Sequence, residues 1–389
     1  LGKGGIAMAM KIAVVDDNQT NLMIIEKILR KAGYNRLVLL TSAKELYQCL
    51  QLDEVNAEEV PFDLILMDLM MPEIDGMEAC RKVLADERYA DLPIIFVTAM
   101  GDSNKMAEAM DAGALDYVLK PINKVELLAR MRSVLRLKQE KDLRKERDKR
   151  LQYELDLAKQ VQGSILSDPI EEEDVTISAI YKPSFELAGD LYAWYPISEH
   201  RYGVILLDMM GHGISSSLVC MYIYSALKDT ITGMCDPERV MRELNRRMYQ
   251  LKMPDHLINY YFTAIYLVLD TETQTIEYVN AGHPAGIAIV DDEVKLLTDG
   301  CCALGFFEEI DVTKGVIPYK RGARTLLFTD GLSEWLEEDY EDAIAKLIST
   351  LQAKDIDTPD AFLHQLQPSL EPHNAPKDDL CLVMISTNG

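Results

Sequence analysis

Residues 138–150, "KQEKDLRKERDKR", are almost all charged. A packed core does not admit such a run, because each ion would have to leave water with a matched partner. The run therefore divides the 389-residue chain into two bodies, each of which needs its own core. From Lys124 the pattern stays helical without strong breakers until Gly163 and Pro169, so the divider reads as one long helix ending near Ser167. Apolar positions resume at Leu151, Leu155, Ala158 and Ile165, at roughly heptad spacing. Two readings follow: a solvated linker held by local charge pairs, or a signalling helix that forms a homodimer seam.

On the N-terminal side, short apolar runs alternate with helical patterns. "KIAVVD", "LVLL", "DLILMD", "LPIIFV" and "DYVLK" read as buried strands, with amphipathic stretches such as residues 21–32 and 106–112 between them. That alternation predicts βαβ units and a doubly wound parallel sheet. Asp16, Asp17, Asp68, Thr98 and Lys120 all fall at the carboxyl ends of these strands, where such sheets gather ligands. Three packed carboxylates repel unless a cation sits among them, and hard oxygen ligands in an open site suit Mg²⁺. One carboxylate can then attack a phosphoryl group while the metal and a lysine offset the developing charge.

Beyond residue 175 the pattern changes to longer alternating strands: "TISAIYKP", "YGVILLD", "YFTAIYLVLD", "TIEYVNAG", "GIAIVDD", "RTLLFTD" and "LCLVMIS". Residues 271–274 read as a hairpin connection, and helices are expected over 216–231, 237–251, 342–351 and 360–366. Mostly antiparallel strands with grouped helices predict an α/β sandwich. Here too, acids stand at strand edges. Asp208 ends one apolar strand, Asp330 ends another, Asp378 and Asp379 precede a third, and Asp190 sits beside a small-residue turn. Singly each is an ordinary turn residue. Together they suit two Mn²⁺ or Mg²⁺ ions that share a bridging carboxylate, acidify water and polarise a phosphoryl oxygen. Gly211 and Gly213 would let the backbone come close.

Composition narrows the classes. A formal net charge of −24 argues against nucleic-acid binding. Seven cysteines without CxxC spacing argue against zinc and for a reducing, cytoplasmic setting. No apolar run reaches membrane-spanning length, and residues 1–10 lack the long apolar core of a secretory signal.

The motifs "VVDDN", "LILMDLMMPEIDG", "FVTA" and "GALDYVLKP" closely resemble the receiver domain of two-component response regulators, a (βα)5 fold. The resemblance implies Asp68 as phosphoacceptor, and Mg²⁺ held by Asp16, Asp17, Asp68 and the Met70 carbonyl. It further implies that Lys120 pairs with the phosphate and that Thr98 and Tyr117 form the switch. The ordered set "AGDLY", "LLDMMGHGISSSL", "VNAGHPA", "LLFTDGLSE" and "KDDLCLVMI", with the entry helix "LAKQVQGSIL", resembles the metal-dependent, type 2C (PPM) protein serine/threonine phosphatases. The similarity is to their bacterial sporulation and general-stress branch. That resemblance implies that Asp208 bridges two metals, with the Met209 carbonyl on one. Asp330 and Asp378 complete the other metal's shell, and Asp190 acts through water. His212 keeps two readings, proton donor to the leaving serine oxygen or shaper of the loop. Asn280 and His283 support a turn. Two departures from the family pattern are Ala188, where a glycine is usual, and Ala193, where many members carry an acid.

The expected divisions are a leader or cloning remnant at 1–10, a receiver at 11–136, a helical linker with coiled-coil potential at 137–168 and a phosphatase domain at 169–389. The implied protein is a cytoplasmic response regulator controlled at Asp68 by a sensor histidine kinase. Its output would dephosphorylate phosphoserine or phosphothreonine in an anti-anti-sigma-type protein of a partner-switching pathway. The alternative is a non-catalytic adaptor on a pseudophosphatase scaffold.

Overall fold

A computed structural model describes residues 10–52, 54, 62–99, 103–251, 260–336, 339–353, 356, 358–366 and 378–388. All of the expected leader but Met10 lies outside them. The chain divides into two compact units, Leu1–Leu151 and Gln152–Gly389. Among the described residues no helix is long and apolar enough to cross a membrane.

In the first unit, β1 (Lys11–Val15), β2 (Arg36–Leu40), β3 (Leu64–Asp68), β4 (Ile94–Thr98) and β5 (Asp116–Leu119) form one parallel sheet, ordered β2-β1-β3-β4-β5. β3 and β4 are buried along their whole length, as a strand covered on both faces must be. One face packs on Leu22, Ile25 and Leu29 of α1 (Gln19–Lys31). The other packs on Leu46 of α2 (Ala43–Leu50), Val83 of α3 (Gly76–Ala85) and Ala109 of α4 (Ser103–Asp111). The start of α5 (Lys124–Ser164) joins the α1 face through Leu127, Met131 and Val134. Capping residues fix where the helices begin. Asn18 accepts from Thr20 N at 2.8 Å, Ser42 from Glu45 N at 3.2 Å and Asp75 from Glu78 N at 2.8 Å.

The second unit is a sandwich of two six-stranded, mainly antiparallel sheets. One holds β6 (Ile170–Glu171), β7 (Val175–Lys182), β12 (Gly286–Val290), β13 (Glu293–Leu297), β16 (Gly322–Phe328) and β17 (Leu380–Asn388), ordered β13-β12-β16-β17-β7-β6. The other runs β14-β11-β10-β9-β8, with β15 on β11. Its strands are β8 (Leu191–Ser198), β9 (Arg201–Met209), β10 (Phe262–Asp270), β11 (Thr275–Ala281), β14 (Gly300–Cys301) and β15 (Gly315–Pro318). Their facing surfaces share one core that includes Ile177, Val204, Leu206, Ile265, Leu267, Leu327 and Val383. The outer face of the second sheet packs on α6 (Ile214–Met234) and α7 (Pro237–Gln250). The first packs on α8 (Asp330–Leu336), α9 (Tyr340–Leu351) and α10 (Pro359–Leu366). The fold class expected from the sequence is therefore the one observed.

Details differ. β8, which pairs with β9 from Leu191 onward, was not anticipated, because "LYAWYPIS" is aromatic without alternating. β16 stops at Phe328, so Asp330 opens a helix instead of ending a strand. The long helix ends at Ser164, three residues before the expected Ser167.

Candidate functional site

The first unit gathers its acids at the β1 and β3 ends. Oxygens of Asp16, Asp17 and Asp68 all lie within 4.8 Å of one another, a set able to hold a divalent cation. Asp16 is oriented by Asn18 N at 3.0 Å and Asn21 Nδ2 at 2.9 Å. Lys120 Nζ reaches across from the end of β5 to Asp16 at 2.8 Å and Asp68 at 2.6 Å. Burial pushes the Asp68 carboxyl up, and the Lys120 ammonium pulls against that rise. Burial works to lower Lys120, but its bonds to Asp16 and Asp68 prevail and hold it above its ordinary value. Asp68 is nearly buried and the Met70 side chain is exposed; Met70 N donates to Asp68 Oδ1 at 3.2 Å. Thr98 is buried at the tip of β4, and its carbonyl accepts from Lys120 N at 2.7 Å. Tyr117 is half-buried on β5, with the Arg130 guanidinium 5.3 Å from its ring centre.

The second unit brings together acids from widely separated parts of the sequence. Asp190 precedes β8, Asp208 lies near the end of β9, Asp330 opens α8 and Asp378 precedes β17. Desolvation, then the charges of Asp330 and Asp378, raise Asp208 to about 7. Desolvation raises Asp190 as well, and Asp208 adds to it. Asp330 is pushed up by partial desolvation, Asp378 and Glu334. Asp190 is buried, and its Oδ2 has no hydrogen-bond partner among the described residues. An unsatisfied buried carboxylate oxygen beside other acids matches the donor set of a hard divalent cation.

Glycines make the approach possible. A Cβ on Gly189 would stand 2.9 Å from Gly211 O and 3.1 Å from Met209 O, so the Met209 carbonyl faces the Asp190 turn. Gly211 and Gly213 have φ of 76° and 85°, which side-chain-bearing residues rarely adopt. His212 between them is exposed and stacks on Phe185, ring centres 4.5 Å apart and planes 13° apart. Asn280 ties its turn through His283 N at 2.8 Å, His283 O at 3.0 Å and Leu297 O at 3.0 Å, while the His283 ring meets Thr263 Oγ1 at 2.8 Å. Ala188 is fully buried, and Ala193 packs in the core beneath α6.

Sequence reasoning placed Asp379 among the strand-edge acids and gave it no role of its own. This buried acid accepts from Ser184 N at 2.7 Å, Ser184 Oγ at 2.9 Å and Gly189 N at 2.7 Å, clamping the loop that carries Phe185 and the Asp190 turn. The "DD" pair was visible; which member turns inward is decided by the pleat of β17 and the loop before it.

Each unit thus gathers its own acids, Asp16, Asp17 and Asp68 in the first and Asp190, Asp208, Asp330 and Asp378 in the second. Residues 12–132 match the family of the response regulator receiver domain, and residues 198–388 that of stage II sporulation protein E (SpoIIE). The chain thus joins a response-regulator receiver domain to a SpoIIE-type, PP2C-like phosphatase domain. It is 37% identical over 238 residues to the phosphoserine phosphatase RsbP of Bacillus subtilis, covering 60% of this chain and 57% of that protein. It is 34% identical over 126 residues to the DNA-binding dual master transcriptional regulator RpaA of Synechocystis, covering 32% of this chain and 49% of that protein. The chain thus spans roughly half the length of these relatives. The SiaA-PP2C domain of Pseudomonas aeruginosa shares the fold, with a TM-score of 0.51 at 19% identity, covering 62% of this chain and 98% of that domain.

Proposed function

We propose that this protein is a metal-dependent protein serine/threonine phosphatase whose activity is set by phosphorylation of Asp68. The observation that carries the reading is the gathering of Asp190, Asp208, Asp330 and Asp378, in which desolvation and the charges of Asp330 and Asp378 raise Asp208 to about 7 and one buried Asp190 oxygen has no hydrogen-bond partner among the described residues. Acids so placed need cations to be charged together.

In the receiver, an Asp68 oxygen attacks the phosphorus of a phosphohistidine on a sensor kinase; the P–N bond breaks and an acyl phosphate forms. Lys120, already bonded to Asp68, offsets the added charge. Asp16, Asp17, Asp68 and the Met70 carbonyl would hold Mg²⁺, and Thr98 with Tyr117 would register the phosphate. In the phosphatase, Asp208 and the Met209 carbonyl would hold one ion, and Asp208, Asp330 and Asp378 a second, Mn²⁺ or Mg²⁺. Asp190 would act through a bound water. Such ions acidify water and neutralise phosphoryl charge. A water oxygen bonds to the phosphorus as the seryl P–O bond breaks, releasing inorganic phosphate, and His212, steadied by Phe185, is the group nearest in chemistry to protonate the leaving seryl oxygen. RsbP bears the name of a phosphoserine phosphatase; by that likeness the substrate here is a phosphoserine or phosphothreonine protein of the anti-anti-sigma type, in the cytoplasm. Leu151, Tyr153, Leu157 and Val161 are exposed on α5 and would furnish a homodimer seam.

Phosphate release from a phosphoserine protein tests this, with Mn²⁺, Mg²⁺ or chelator, in the presence and absence of beryllofluoride. Turnover that needs a divalent ion and disappears in Asp208→Asn is expected. No turnover with any ion, before or after beryllofluoride, would shift the reading to the adaptor.

A further inference from the structure

Gln162 is a polar side chain only 4% exposed, two residues before the end of α5. Its amide is spent on a single residue. Nε2 donates to Ala188 O at 2.8 Å, and Oε1 accepts from Ala188 N at 3.1 Å. A buried amide needs partners at both ends, and here both belong to the backbone two residues before Asp190. The next peptide is fixed as well, because Gly189 N donates to Asp379 Oδ2 at 2.7 Å. Gly189 has little room to move, since a Cβ there would already crowd Gly211 O. The turn bearing Asp190 is therefore gripped between Asp379 and the last turn of α5. The same stretch meets the other limb of the cleft: Tyr224 on α6, which follows the Asp208 loop, donates its hydroxyl to Ile165 O at 2.7 Å.

We propose that Gln162 is a positioning residue for the acid cleft, and that the last turn of α5 is where the phosphatase unit receives its regulatory input. A turn or slide of α5 must either carry Ala188 with it or break two buried hydrogen bonds. Carrying Ala188 displaces Asp190 relative to Asp208, and with it the affinity of the cleft for a divalent ion. This proposal rests on the metal-dependent reading above and adds the route by which the site is regulated. A merely structural Gln162 would influence folding and leave metal affinity and regulation alone.

The full chain decides between them. Gln162→Leu removes both bonds at similar volume; Gln162→Glu keeps an acceptor for Ala188 N–H and loses the donor. Mn²⁺ affinity would be measured by titration calorimetry, and turnover with and without beryllofluoride at several Mn²⁺ concentrations. Loss of a hydrogen-bond partner of a metal ligand lowers metal affinity by about tenfold or more. Gln162 acts one step further out, through the Ala188 backbone, so a drop of up to about tenfold is expected in Gln162→Leu, with a smaller one in Gln162→Glu. The ratio of turnover with and without beryllofluoride should fall toward one in Gln162→Leu, and turnover itself should recover at saturating Mn²⁺. Folded variants with wild-type Mn²⁺ affinity and a full beryllofluoride response overturn the proposal. Failure of both variants to fold overturns it too, by assigning Gln162 to stability. A wild-type chain that binds Mn²⁺ without turning over substrate sinks the enzymatic reading instead, and the affinity comparison still judges Gln162.

Discussion

Asp208 holds its proton more tightly in the folded chain than a free aspartate does, at about 7 against 3.8. Below the unfolded value both states are protonated and the group has no effect. As pH climbs toward 7 the unfolded chain sheds the proton first, so stability falls across that window. In chelator, the midpoint of urea unfolding should therefore drop between about pH 4 and pH 7, by linkage. Asp208→Asn should flatten much of that slope; an unchanged slope would mean that the acids are not packed together. Asp379 bears on stability through its hydrogen bonds. It is a buried acceptor for three protons of the 184–189 loop, and Asp379→Ala leaves those donors without it. The variant should lose about 3 kcal/mol in chelator melts, and Asp379→Asn less, since the amide keeps one acceptor.

Elements were legible where apolar runs were long. β3, β4, β9 and β10 are uniform enough that period and length agree. β8 was hidden because its side chains serve two cores: Tyr192 and Trp194 face the inter-sheet core, and Leu191 and Ala193 the core under α6. The candidate site was legible as a set of acids at element ends, and not as a set of roles. Nothing local distinguishes Asp378 from Asp379, or reveals that Gln162 is buried while Gln160 is exposed. Those choices are made by tertiary packing. Gly331 shows how tightly elements abut: a Cβ there would collide with Asp379 O, so α8 must start against the loop before β17. Gly331→Ala should cost about 1–3 kcal/mol by overpacking. It should also weaken Mn²⁺ binding, because Asp330 is the preceding residue; calorimetry would reveal either effect, and an unshifted affinity would free Asp330 from the site.

For the whole molecule, two compact units, one with the Asp16, Asp17 and Asp68 set and the other with the acids around Asp208, imply two separable cation responses. A ligand present at a hundred times its dissociation constant stabilises the unit that binds it by about 2.7 kcal/mol. Calorimetric scans should therefore show that Mg²⁺ with beryllofluoride raises one unfolding transition, and that an Asp68→Asn chain loses this shift. Mn²⁺ should raise the other transition, and an Asp208→Asn chain should lose that shift. A single transition raised equally by both would mean that the units unfold as one.

α5 runs unbroken for 41 residues, from the first unit into the second. At 1.5 Å per residue it is a rod of about 60 Å, and each residue added turns its far end by about 100°. Whatever passes along such a rod is carried as an angle as well as a distance. Seven extra residues in the charged stretch would restore the azimuth to within about 20°, whereas two would swing it by about 200°. The rod thus has a phase. Chains of different linker length should fall into those that keep phase and those that lose it, and not into short and long.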